Sequence, residues 1–150
     1  MPTNILRNRT APVGITAEDM AVEISGRVVL ITAGRAAIRV RLLPTVTASR
    51  IWQALPLHAT AETWGQAVHF ELPIETGREP DATRQGTAGD IYFWSEESRV
   101  IVAFGPTPIS GPGEIRLPSP CNVWAKAVND VSPLYSVTPG EKVSVTVVPV

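Results

Sequence analysis

Short apolar runs with a period of two, each cut off by glycine, proline or a polar turn, constrain this chain more than any other feature. A strand turns successive side chains to opposite faces, so a half-buried strand reads as apolar–polar alternation. Residues 36–42 (AAIRVRL) are the clearest case: Ile38, Val40 and Leu42 face a core while Arg39 and Arg41 face water. With residues 28–32 (VVLIT) they read as a hairpin, Gly34 supplying the positive φ of its turn. Residues 64–73 (WGQAVHFELP) put Val68, Phe70 and Leu72 on one face and His69 and Glu71 on the other. Residues 90–94 and 99–104 read as a second hairpin across 95–98, and residues 121–128 and 143–148 as further strands. Met20, Val22 and Ile24 alternate as a short strand after an N-terminal arm. About eight strands separated by turn chemistry point to a barrel or a sandwich. A doubly wound α/β sheet would need helices between its strands.

One helix is well signalled. Thr45 or Thr47 can cap it, Ala48, Ile51, Trp52 and Leu55 form one apolar stripe, and Pro56 stops it. Trp52 reads as the anchor of this helix on the sheet. Two stretches read as loops: the polar residues 75–89, a lid or a plain connection, and the Pro/Gly-rich run 105–120.

Composition excludes more than it assigns. At 150 residues the chain is one domain. A net charge of −1 with no basic run argues against nucleic acid and against a charged membrane surface. No apolar run is long enough for a membrane span, and MPTNILRNRT lacks the apolar centre of a signal peptide. Cys121 is alone, so neither a disulfide framework nor a thiolate cluster is available, and it reads as a small buried residue. The expected setting is the reducing cytoplasm. No cofactor is expected. His58 and His69 are not at metal-ligand spacing, there is no Gly-x-Ser-x-Gly elbow, and the prolines of GPTPISGPG remove the backbone donors of a phosphate cradle.

What remains is a groove. Tyr92 and Trp94 project to one strand face, Ile91 and Phe93 to the other. Beside Phe104 and a rigid Thr107-Pro108 loop, the outward aromatics can line a shallow apolar groove, with Glu71, Thr107, Ser110, Glu114 and Arg116 as orienting polar groups. The competing reading makes the aromatics core and the loop a wide connection.

The pieces PTVTASRIWQALP, WGQAVHFELP, GDIYFW, FGPTPIS and GEIRLPSPCNV follow one another as they do in a small prokaryotic family with a cyclophilin-like fold, and the chain resembles that family over roughly residues 28–128. The resemblance implies a closed eight-stranded β-barrel with one short helix packed at an opening. It divides the chain into an arm with an extra strand (1–26), the barrel (27–128) and an extension ending in a strand (129–150). True cyclophilins are peptidyl-prolyl isomerases using an arginine within Phe-His-Arg. The nearest counterpart here, His69-Phe70-Glu71, has an acid where the cation belongs, and Arg116 is the candidate substitute. The function expected is a binding module for a small molecule or a proline-containing peptide. A rearranged isomerase, a small-metabolite enzyme and an assembly role are the alternatives. The valine-rich tail, if it offers a free strand edge, would support a homodimer.

Overall fold

The computed structural model describes residues 16–148, in which ten antiparallel strands and two α-helices follow one another along the chain. Helix α1 (Ala17–Ile24) stands where a short strand was expected. Its start is a capping box: Thr16 Oγ1 accepts from the Asp19 amide at 3.0 Å and Asp19 Oδ2 accepts from the Thr16 amide at 3.5 Å. Met20, Ala21 and Ile24 are buried while Val22 is 72% exposed, a helical spacing that the Met-Val-Ile alternation concealed. The arm expected before it lies outside the described residues.

The hairpin of β1 (Val28–Ala33) and β2 (Ala36–Leu42) forms as its alternation predicts, pairing Val29 with Val40 and Ile31 with Ile38. Helix α2 (Val46–Ala54) is capped by Thr45, whose hydroxyl accepts from the Ala48 amide at 3.0 Å. It buries Ala48, Ile51 and Trp52, and the Arg27 guanidinium lies 4.9 Å from the Trp52 ring centroid. Next come β3 (Leu57–Thr60), β4 (Glu62–Thr63), β5 (Ala67–Glu71), β6 (Thr83–Gly86), β7 (Asp90–Trp94), β8 (Arg99–Ala103), β9 (Ile115–Ala127) and β10 (Lys142–Val147). The sheet runs β3-β10-β1-β2-β9-β7-β8-β5-β4, with β6 added on β9.

This sheet is barrel-like but not closed. Its end strands, β3 and β4, are joined through Ala61 alone, and no ladder links them among the described residues. The mainly β, barrel-like architecture holds, while the count is ten strands and two helices rather than eight and one. Strand β10 sits between β1 and β3, so the free edge behind the homodimer expectation is absent. The expected loop at 75–89 contains β6, and the expected loop at 105–120 ends in the first half of β9.

Two apolar clusters follow from strand alternation. Val29, Ile31, Ile38, Val40, Phe70, Ile91, Phe93, Val100, Val102, Trp124 and Val145 fill the inside of the curled sheet together with both helices. On the opposite face Ala67, Tyr92, Ile101, Ala103, Leu117 and Cys121 form a smaller cluster. The second cluster exists because β9 is long. Residues 122–127 pair with β7 or β2, whereas residues 115–121 leave that ladder for β6 and bring Leu117 and Cys121 against Tyr92 and Ile101. Pro118 and Pro120 fall where the β6–β9 register shifts, the kind of irregular edge position a strand proline tolerates.

Candidate functional site

Most of the expected groove residues turn out to hold the fold. Tyr92 is buried, its hydroxyl accepting from the Thr87 amide at 2.9 Å, and burial pushes its ionisation above the usual range. Phe104 packs on the main core. Thr107, Ser110, Glu114 and Arg116 do converge, but on one another. Ser110 Oγ accepts from the amides of Thr107 and Arg116, both at 2.9 Å, and Thr107 Oγ1 donates to the Arg116 carbonyl at 2.6 Å. Glu114 accepts from the Gly111 amide at 2.8 Å, Gln85 Nε2 at 3.2 Å and Arg116 Nε at 3.2 Å, and these donors hold its carboxyl below the usual range. These bonds clasp the Pro/Gly loop onto the start of β9.

The loop also leans on Gly65. With φ +59° this glycine lies where a Cβ would come within 2.7 Å of Pro108 Cδ and 3.0 Å of the Pro106 carbonyl oxygen. Its neighbour Gln66 donates its amide to the Pro106 carbonyl at 3.0 Å and accepts from the Phe104 amide at 2.9 Å.

Outside the barrel wall, Trp64, His69, Trp94, Ile101 and Pro118 line a cavity of about 300 Å³. His69 on β5 and Ile101 on β8 are register partners facing outward. Trp94 ends β7, Trp64 follows β4, and Pro118 comes from the overlying half of β9. Beside this apolar slot is a polar cavity of about 400 Å³ lined by Thr60, Glu62, Glu71, Pro73 and Arg99.

Arg99 joins the two. Its Nη1 donates to Nδ1 of His69 at 3.2 Å, and its Nη2 stands 4.0 Å from Glu71 Oε1. Burial, followed by the Arg99 charge, lowers the pKa of His69, with Glu62 opposing. Of the expected site residues, Trp94 lines the slot, Glu71 lines the polar cavity, and Arg116 lines neither. Trp64, His69, Arg99, Ile101 and Pro118 were not among the expected ligand residues. Alternation had placed His69 outward beside Glu71, but the register that sets Arg99 and Ile101 against them is not written in either strand alone.

Among the described residues no three His, Cys, Asp or Glu side chains are grouped as metal ligands would be, and no helix is long and apolar enough to cross a membrane.

A family model described as Cyclophilin-like matches residues 15–146. The chain belongs to the cyclophilin-like family. The match takes in α1 and all but the last residue of β10, so the family's span is wider than residues 28–128. The hypothetical protein AF2241 from Archaeoglobus fulgidus, solved in solution, is 30% identical with a TM-score of 0.72, covering 83% of this chain and 97% of its own. A structure of McbB in complex with tryptophan shares the fold with a TM-score of 0.57 at 12% identity, covering 79% of this chain and 44% of that one. No curated protein matches.

Proposed function

We propose that this cyclophilin-like protein is a binding module whose outer-face slot takes a small apolar molecule or an apolar side chain of a peptide. One observation carries the reading: two indoles, an imidazole, an isoleucine and a proline from five separate segments surround a space at the lower end of the range for ligand pockets. The arrangement offers shape and largely apolar surface, with one imidazole and two indole N–H groups as its polar elements. A cytoplasmic setting fits the lone, buried Cys121.

The test is a thermal-shift screen of apolar ring compounds and proline-containing peptides, followed by tryptophan fluorescence. Tryptophan itself, bound to the fold neighbour McbB, belongs in the screen. At a hundredfold excess over Kd a ligand stabilises the native state by about 2.7 kcal/mol. A hit that survives Trp94→Ala unchanged, or no hit across the library, refutes the reading.

A second reading draws on Arg99. Cyclophilin isomerase chemistry needs a guanidinium beside a proline pocket, and an arginine bonded to a wall residue of the slot meets that need better than Arg116. The fold likeness is an analogy, so a proline-peptide isomerisation assay decides it. Turnover abolished by Arg99→Met supports an isomerase, and a flat trace removes it.

A further inference from the structure

An arginine can only donate hydrogen bonds and keeps its proton at any ordinary pH. The 3.2 Å contact from Arg99 Nη1 to Nδ1 of His69 is therefore a hydrogen bond only if Nδ1 is the acceptor. A ring nitrogen that accepts carries no proton, so the single proton of the neutral imidazole resides on Nε2. Among the described residues Nε2 makes no hydrogen bond, while His69 lines the slot with Trp64, Trp94, Ile101 and Pro118. Among the described residues this N–H has no protein partner, nor do the indole N–H groups of Trp64 and Trp94, and the other walls of the slot are apolar. A half-buried donor left unpaired is costly, and a ligand atom that accepts from it relieves that cost. The same apolar walls penalise a charge, which would lose its hydration on entry.

We propose that His69 presents an Nε2–H donor to the slot, its tautomer set by Arg99, and that the slot accordingly selects an uncharged ring compound bearing a hydrogen-bond acceptor such as a carbonyl oxygen. This rests on the binding reading above and names its ligand class. His69 is then the specificity-determining residue, and Arg99, which acts through it, is a positioning residue.

The experiment pairs two probes of similar shape, acetophenone and ethylbenzene, titrated against the tryptophan fluorescence of the full chain. The wild type is expected to bind the ketone roughly threefold to tenfold more tightly, the worth of one hydrogen bond. His69→Phe should abolish that preference while still binding the hydrocarbon, and His69→Gln, which keeps an N–H donor, should restore part of it. In parallel, long-range ¹⁵N–¹H spectra of a His58→Gln variant, in which His69 is the sole remaining histidine, should show the Nε2–H tautomer. In the same background Arg99→Met should shift the ring toward a tautomer mixture. Equal affinity for the two probes, or an Nδ1–H ring in the spectrum, overturns this inference and leaves the binding reading standing. Failure of both probes to bind overturns the slot as a ligand site, and this inference with it.

Discussion

Asn122 ties the 75–82 segment to the barrel, and its removal tests how much of the fold depends on one buried amide. The side chain is 1% exposed. Its Nδ2 donates to Thr47 Oγ1 at 3.0 Å and to the Gly77 carbonyl at 2.9 Å, and its Oδ1 accepts from the Glu79 amide at 2.8 Å. The Glu79 carboxylate in turn accepts from the Thr47 amide at 3.1 Å and from the Thr47 hydroxyl, placing an acid at the N-terminal turn of α2. Asn122→Ala breaks three bonds. Thr47 Oγ1 keeps its bond to Glu79, and water reaches the part-buried Gly77 and Glu79 groups, so the loss per bond stays near 1 kcal/mol. The sum is about 2–4 kcal/mol, and for a domain of this size a melting point lower by roughly 5–15 °C. Urea unfolding followed by circular dichroism measures the first quantity. Amide exchange locates it: the Glu79 amide should lose protection while β1 amides keep theirs. Thr47→Val combined with Asn122→Ala should cost less than the two singles summed, because both cut one network. A melt within about 2 °C of wild type with the Glu79 amide still protected would refute the latch.

Lowering the pH should expose His69. Its folded pKa lies below the ordinary 6.5, so its contribution to stability is complete above that value and is lost as pH falls through the folded pKa. Facing it are Arg99 from β8 and Glu62 from β4. His69→Gln should therefore lose less stability than wild type on acidification from about pH 7 to 5, and parallel melting curves would contradict this. Cys121, whose thiol burial pushes up to about 12, should resist a disulfide reagent at neutral pH until the chain unfolds. Stoichiometric labelling of the native protein would show the site to be open. Gly65→Ala should cost about 1–3 kcal/mol, since a left-handed φ and the Pro106–Pro108 backbone both oppose the new methyl. An unchanged melting point would mean that the loop yields freely.

Strands whose two faces have different partners were legible from composition and period. Residues 36–42 alternate buried and exposed in the structure as they do in hydropathy, and α2 buries the stripe its spacing marks. The misreadings have separate physical causes. Helix α1 is short, and three alternating apolar residues imitated a strand until the Thr16–Asp19 box and the exposure of Val22 decided the matter. The first half of β9 was hidden by Pro118 and Pro120, which signal a loop wherever both strand edges must be paired. Here β6 pairs one side through an irregular register, so prolines and strand coexist. Closure is what the family resemblance implies, but Ala61 connects the end strands along the chain instead of across a ladder.

The slot is not legible in the sequence for a different reason. Aromatic and Pro/Gly density peaks over residues 89–120, yet such density reports where the chain turns and packs, not which atoms stay open. Tyr92 and Phe93 lie one residue apart and serve opposite faces of one sheet, each buried by a different cover. Thr107, Ser110, Glu114 and Arg116 are close in sequence, and for that reason they satisfy one another. The slot walls come from positions 64, 69, 94, 101 and 118, brought together by the β7–β8 and β5–β8 ladders and by the excursion of β9. Polar groups adjacent in the chain find local partners first. His69 instead takes its charged partner from a strand thirty residues away, and among the described residues its second ring nitrogen has no hydrogen bond.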